Sequence, residues 1–307
     1  MDIVYVSQQN ADLHDEEGGL FFALRKLGHT VYWFPHTQAE QACHQGGDFL
    51  LCTHLNVWSR LRSSPIPKVF WYVDLVDHQS EEPHLIERSL HRRQLIEEVT
   101  ADCLLGFMTD GDYVDADITG KLHFLPQGAD ERFMGVGIPS NRYQILVVGS
   151  IGHRRGCILR LKELFGNRLN HIVKGTYRRN LADAVASSAI NVCPSDPVTD
   201  RYASNRVFVL SGFGGFVLHK RSAFLEECYR DGKEIIFYDD CPDLREKVDY
   251  YLAHPGLRRS IAMWALKRTW ECHTYRHRAE ILIKKVREAL DGQSNRTEPD
   301  ETALSPA

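Results

Sequence analysis

Ser204-Asn205-Arg206 stands before the apolar run VFVL, a hydroxyl and an amide able to cap a helix with a guanidinium in its first turn. The free N–H groups at a helix start carry partial positive charge, so a cation beside them makes an anion site. Arg154 and Arg155 supply two more cations in the segment SIGHRRG, directly after the strand-like run Ile145 to Val148, and Lys174 closes another such run. The competing reading of these cations is a solvated basic turn. Proton chemistry has a different address. FWYVDLVDHQ puts Asp74, Asp77 and His78 straight after a strand-like run, where a carboxylate or imidazole accepts a proton, orients a hydroxyl or simply caps the next element. His54 follows another such run. The pair Gly18-Gly19, behind Asp15-Glu16-Glu17, lets backbone approach a ligand closely, and it serves equally as an ordinary helix entry.

Groups scattered this far apart meet only if the fold gathers the loops that carry them. Short apolar runs at Ile3 to Val6, Val31 to Phe34, Phe49 to Cys52, Val69 to Val73, Cys103 to Met108 and Leu122 to Leu125 alternate with helical patterns, the signature of a parallel sheet. Leu20, Ala23, Leu24 and Leu27 recur at helical spacing, and Gly28 supplies the stop. A second series has strands at Ile145 to Val148, Ile172 to Lys174, Ile190 to Cys193, Phe216 to His219 and Glu234 to Tyr238, with helices near 155–165, 179–187 and 205–211. Ligands of doubly wound sheets bind beyond the carboxyl ends of the strands, where these candidate residues lie.

The glycine-, proline- and polar-rich segment 128–144 reads as a linker, so the expected domains are 1–140 and 141–273. A helix over 274–290 follows, with Ala279, Leu282, Val286 and Leu290 as its stripe, and the polar tail 291–307 is expected to be disordered. A length of 307 residues suits two α/β halves, and 43% hydrophobic residues with a formal charge of −4 excludes a global basic bias toward nucleic acid. No signal-like N-terminus and no run near the roughly 18 apolar residues of a membrane span is present, so a cytoplasmic location is expected. The eight cysteines contain no C-x-x-C pair and read as reduced, mostly core residues. The absence of G-x-G-x-x-G argues against a nicotinamide or flavin site. His273 and His277 have no third partner or H-E-x-x-H context, so no metal is expected. Arg88, His91, Arg92 and Arg93 form a basic cluster that reads as a solvated helix face, or as a contact for an anionic acceptor.

The stretch Ser204 to Arg278, beginning SNRVFVLSGFGGFVLHK and ending HTYRHR, resembles the C-terminal segment of the CgeB-like glycosyltransferases. GGLFFALRKLGHTVYWF is similar to the opening of GT-B glycosyltransferases, ADCLLGFMTDGDYVDADITGKLHFLPQGADERF to their last N-terminal strands with the Gly-x-Asp turn at Gly128 and Asp130, and ILVVGSIGHRRG to the first strand and loop of their donor domain. The resemblance implies a GT-B fold: two Rossmann-like domains facing a cleft, with the last helix crossing back to the N-terminal domain. It implies transfer of a sugar from a nucleotide-sugar donor, a UDP- or GDP-sugar, with retention and without a metal.

Loss of a nucleoside diphosphate places negative charge on the leaving phosphates, and basic side chains must take it up. On the resemblance, Arg154, Arg155 and Lys174 fall in the donor loops, with Arg154 or Arg155 first choice for the diphosphate. Asn205 and Arg206 open the donor helix, and Gly18 and Gly19 assist. His219, Lys220 and Glu226 lie where the family contacts the donor, and Asp74 or His78 orients the acceptor. The chain departs from the pattern at Val209, where a ribose-binding glutamate is implied, and at Arg201, eight residues earlier, where many members carry an acid. Three other readings therefore stand beside transfer: a non-catalytic nucleotide-sugar-binding module, a nucleotide-sugar epimerase of the same fold, and a transferase acting on modified DNA bases. The acceptor itself, whether glycan, protein, small molecule or modified base, is not specified by any of these residues.

Overall fold

Apolar runs too short for helices, such as IVYV and FLLC, are buried on both faces, which only a parallel sheet covered by helices on both sides provides. A computed structural model of the chain describes residues 1–8, 15–77, 82–140, 142–149, 155–172, 178–195 and 199–297.

The first half runs β1 (Asp2–Ser7), α1 (Asp15–Lys26), β2 (Thr30–Pro35), α2 (Ala39–Ala42), β3 (Phe49–Cys52), α3 (Trp58–Leu61), β4 (Lys68–Tyr72), α4 (Pro83–Asp102), β5 (Leu105–Met108), α5 (Gly111–Asp115) and β6 (Leu122–Phe124). Its six strands are parallel in the order β2-β1-β3-β4-β5-β6. The second half runs β7 (Tyr143–Val148), α6 (Arg155–Phe165), β8 (Leu169–Ile172), α7 (Arg178–Ala186), β9 (Ser188–Cys193), α8 (Arg206–Gly212), β10 (Val217–Lys220), α9 (Ala223–Cys228), β11 (Ile236–Tyr238), α10 (Cys241–Ala253) and α11 (Pro255–Cys272). Its five parallel strands lie in the order β11-β10-β9-β7-β8. In each sheet the chain starts at the strand next to one edge, adds that edge strand and then winds the other way, leaving a crevice between β1 and β3 and another between β7 and β9.

α12 (Tyr275–Thr297) crosses back as expected. Tyr275, Ala279, Leu282, Ile283 and Val286 complete the core formed by Ile3, Tyr5, Leu20, Leu24 and Phe107 on one face of the first sheet. Two close approaches make the crossing possible. A Cβ on Gly19 would stand 2.3 Å from the Tyr275 ring, and one on Gly128 would stand 2.9 Å from the Thr274 backbone. Beside Gly128, Ala129 N donates to His273 O (2.8 Å) and Tyr275 N to Ala129 O (3.0 Å), tying the two chain crossings together.

The C-terminal ends of the two sheets face each other. Gly111 N, just beyond β5, donates to Arg201 O (2.9 Å), Asn205 N to Gln127 Oε1 (3.0 Å), and the Phe124 and Phe224 rings meet edge to face at 5.2 Å.

Three expectations are corrected. The strand expected at Ile172 to Lys174 is β8 at Leu169–Ile172: this edge strand pairs only with β7 and is half-buried, so polar Asn170 and His171 sit in it and blur the apolar signal. Gly18-Gly19 lies inside α1, which already starts at Asp15. The last helix runs through Asp291 to Thr297 instead of stopping at Leu290, while 298–307 of the expected disordered tail lie outside the described residues.

Candidate functional site

The crevice between β7 and β9 is where the second half presents its cation. Arg206 opens α8, half-buried, with Nη1 3.5 Å from the carbonyl of Val148 at the end of β7 and Nε donating to Ser204 Oγ at 3.2 Å. No carboxylate among the described residues pairs with it. A guanidinium held only by neutral oxygens at a strand end is positioned to receive an anion. Arg155 stands exposed at the first turn of α6, the helix that follows β7 in the chain. Arg154 and Lys174 lie outside the described residues, as does His78.

The expected side-chain cap of α8 is not formed. Asn205 is itself helical (φ −52°, ψ −22°) and makes no side-chain cap; its backbone N–H goes across the cleft to Gln127. Gln127 O in turn accepts from Arg278 Nε (3.1 Å), a guanidinium buried on α12. A polar chain thus links the start of α8 to the crossing helix.

Other donor-side expectations meet structural partners. His219 is 1% exposed at the end of β10, so it is sealed off from a ligand in the cleft. Its Nδ1 lies 2.6 Å from Lys220 O, and burial pushes its pKa down to about 4, which keeps the ring neutral. Lys220 Nζ donates to Asp239 O. Glu226 accepts from Arg221 Nη1 (2.5 Å), a cation it shares with Asp231 and Asp239, so its carboxylate is already engaged within its own half. Gly19 is consumed by Tyr275, and Gly18 is buried in the first turns of α1. The positions that depart from the family pattern are structural as well. Val209, on α8, packs into the core of the second half, and Arg201 spans the cleft: its Nη1 pairs with Asp115 at 2.9 Å and its backbone N donates to Asp112 Oδ2 at 3.1 Å.

On the facing sheet, Asp74 is exposed and paired with Arg92 at 3.1 Å. Arg92 is buried, also donating to Leu75 O, and so it braces the loop after β4 where a solvated basic face was expected. Asp110, 3% exposed, braces the same loop by accepting from Val76 N at 3.0 Å. Burial, with Asp112 and Asp77 nearby, raises its pKa against those hydrogen bonds.

The crevice between β1 and β3 holds a group that the sequence pattern only touched at His54. Glu17 Oε1 accepts from Thr53 Oγ1 (2.8 Å) and from Gln8 N (3.0 Å), and the His54 and His36 rings lie 4.8 Å apart. His36 Nδ1 reaches Gln8 O at 2.6 Å. Burial lowers the His54 pKa and His36 lowers it further, while Glu17 opposes them. The His54 ring is therefore biased toward its neutral, proton-accepting form. Nothing in sequence spacing joins residues 17, 36 and 54; the signal available was that each follows a strand of one sheet. Among the described residues no set of three His, Cys, Asp or Glu is arranged to hold a metal.

Residues 139–284, just under half the chain, match the family described as glycosyl transferase-like. Among solved structures, the chain is similar to sucrose-phosphate synthase from Thermosynechococcus elongatus (12% identity, 95% of this chain and 100% of that one, TM-score 0.67). It is also similar to HepE from Anabaena in complex with UDP and glucose (10% identity, 94% and 99% covered, TM-score 0.64). A third is a glycosyltransferase from Rickettsia africae (12% identity, 94% and 98% covered, TM-score 0.60). No curated protein sequence matches. The chain has the two-sheet GT-B fold of these proteins, and its second half carries the sequence pattern of the glycosyl transferase-like family.

Proposed function

We propose that the chain moves a sugar from a nucleotide-sugar donor, a UDP- or GDP-sugar, to an acceptor held over the first sheet, with retention of configuration and without a metal ion. The enzyme class, a glycosyltransferase, is that of the family matched over residues 139–284. The HepE structure with UDP and glucose supports a nucleotide sugar as the donor.

The observation that carries the reading is Arg206, a guanidinium lacking a carboxylate partner among the described residues at the β7/β9 crevice. Departure of the diphosphate concentrates negative charge there, and Arg206 with Arg155 neutralises it without the reorganisation that water would need. In a retaining reaction the leaving phosphate itself takes the acceptor proton, so no strong protein base is required. The acceptor hydroxyl is oriented from the facing sheet by Asp74 and by the His54, His36 and Glu17 group.

A donor panel tests this. Release of nucleoside diphosphate and formation of a retained glycosidic bond, both unchanged by EDTA, is the expected result; an absolute requirement for manganese would remove the metal-free part, and an inverted product the retaining part. Burial of Val209 and pairing of Arg201 favour one alternative, a nucleotide-sugar-binding module without turnover, because both positions expected to hold acids serve packing and the cleft seam. Tight UDP binding with no transfer to any acceptor would select it.

A further inference from the structure

Arg278, in the first turn of α12, is 5% exposed, and no carboxylate among the described residues pairs with it. A charge buried in this way is less favourable than an apolar side chain of similar volume. What the guanidinium supplies is direction, because its N–H groups point along a rigid planar fork. Nε donates to Gln127 O at 3.1 Å, Nη1 to Cys272 O at 3.3 Å, and Nη2 to His273 Nδ1 at 3.4 Å. The last contact requires one form of the imidazole. His273 Nε2 lies 3.1 Å from Cys228 O, which can only accept, so the ring proton sits on Nε2 and Nδ1 keeps its lone pair. Burial, with Arg278 beside it, pushes the His273 pKa down to about 3, and the ring stays neutral.

Two of these contacts lead to α8. Gln127, 3% exposed, turns its Oε1 to the backbone N–H of Asn205 at 3.0 Å, the residue before Arg206. The Arg278 guanidinium also lies over the Phe208 ring, 5.6 Å from its centroid, and the His273 ring meets the same ring at 5.2 Å. The start of α8 is thus held on either side of Arg206, at residues 205 and 208, by groups that Arg278 fixes. Tyr275 and Ala279, which bracket Arg278 along α12, are buried in the core of the first half. A helix that completes one half therefore braces the helix that carries the other half's unpaired cation.

We propose that Arg278 is a positioning residue for the donor site: through Gln127 and Phe208 it fixes the start of α8 and, with it, the direction in which Arg206 meets the diphosphate. The inference rests on the reading of Arg206 as the diphosphate's partner. Arg278 itself touches no substrate. Its contribution is to remove the freedom of α8 before the donor arrives, so that binding does not have to order it.

Calorimetric titration of the full chain with UDP and with GDP tests this in a cycle of Arg278→Lys, Arg206→Ala and the double variant. Arg278→Lys keeps the charge and loses the fork; it is expected to weaken the bound nucleotide about tenfold in the wild-type background and less than about twofold in the Arg206→Ala background. Urea unfolding reads the purely structural part, which should be the same loss in both backgrounds. Gln127→Leu removes only the side-chain acceptor for Asn205 N and is expected to repeat the pattern at about fivefold; it decides the matter if Arg278→Lys does not fold. Unchanged nucleotide affinity in Arg278→Lys, or the same fold-loss with and without Arg206, overturns the positioning role and leaves the donor reading intact. Arg206→Ala binding as tightly as wild type, or no saturable binding of either nucleotide to wild type, overturns the donor reading and the positioning role with it.

Discussion

Among the described residues Arg206 has no carboxylate partner, and the donor role proposed for it rests on that. A half-buried guanidinium pays for lost hydration, and neutral contacts to Val148 O and Ser204 Oγ replace it only in part. Arg206→Ala should lower kcat/KM for the nucleotide sugar by about 30- to 100-fold, equivalent to roughly 2–3 kcal/mol, with Arg206→Lys retaining part of the activity because it keeps the charge but loses the fork. Steady-state kinetics with the donor varied decides it; equal kcat/KM for wild type and Arg206→Ala would place the diphosphate elsewhere. Two buried histidines set the response to acid. Burial pushes His219 down to about 4, and burial together with Arg278 pushes His273 down to about 3, from an ordinary 6.5. Above pH 6.5 both are neutral folded or unfolded, so their contribution is complete. Below it the unfolded chain takes up protons that the native chain refuses, and stability declines as pH falls from 6.5 toward 4. Urea unfolding should give a stability lower by about 3 kcal/mol at pH 5 than at pH 7. An unchanged value across that window would show that both rings are hydrated or paired when folded.

At the scale of elements, the glycines of α1 illustrate how one motif is open to two uses. Gly19 permits contact between α1 and α12, because a Cβ there would collide with the ring of Tyr275, which is 2% exposed and has no room to move. Gly19→Ala is expected to cost about 1–3 kcal/mol in urea unfolding, and Gly19→Ala with Tyr275→Leu less than the sum of the single changes, since removing the ring removes the clash. Full additivity would show that the two residues do not share this contact. α8 teaches a related lesson. Its seven residues give it little dipole of its own, so its importance to the site lies in where it puts Arg206.

For the molecule as a whole, α12 is a structural part of the first half although it lies at the other end of the chain. Five of its side chains are buried in that core; Leu282, Ile283 and Val286 contribute about 1.5–3 kcal/mol each, and with Tyr275 and Ala279 the sum is on the order of the whole stability of a domain. A chain ending at Thr274 should therefore lose cooperative unfolding of the first sheet and aggregate, as seen by circular dichroism and size exclusion; a soluble, cooperatively folding product would mean that α1 and the sheet suffice. The sequence by itself determined most of the strands, the alternation that makes both sheets parallel, the last helix and the cation at Arg206, because each is written in local periodicity or in residue type; that this helix crosses back was implied by the family resemblance. It located β8 poorly, since a half-buried edge strand carries polar residues, and it offered His219, Glu226 and Gly19 as ligand contacts because residue type does not reveal whether a partner is already present. Only the tertiary structure decided that Arg201 and Val209 serve the seam and the core, that Arg92 is buried, and that Glu17, His36 and His54 meet at one crevice. These are contacts between residues distant in sequence, fixed by how helices close over the sheets, and no local pattern encodes them.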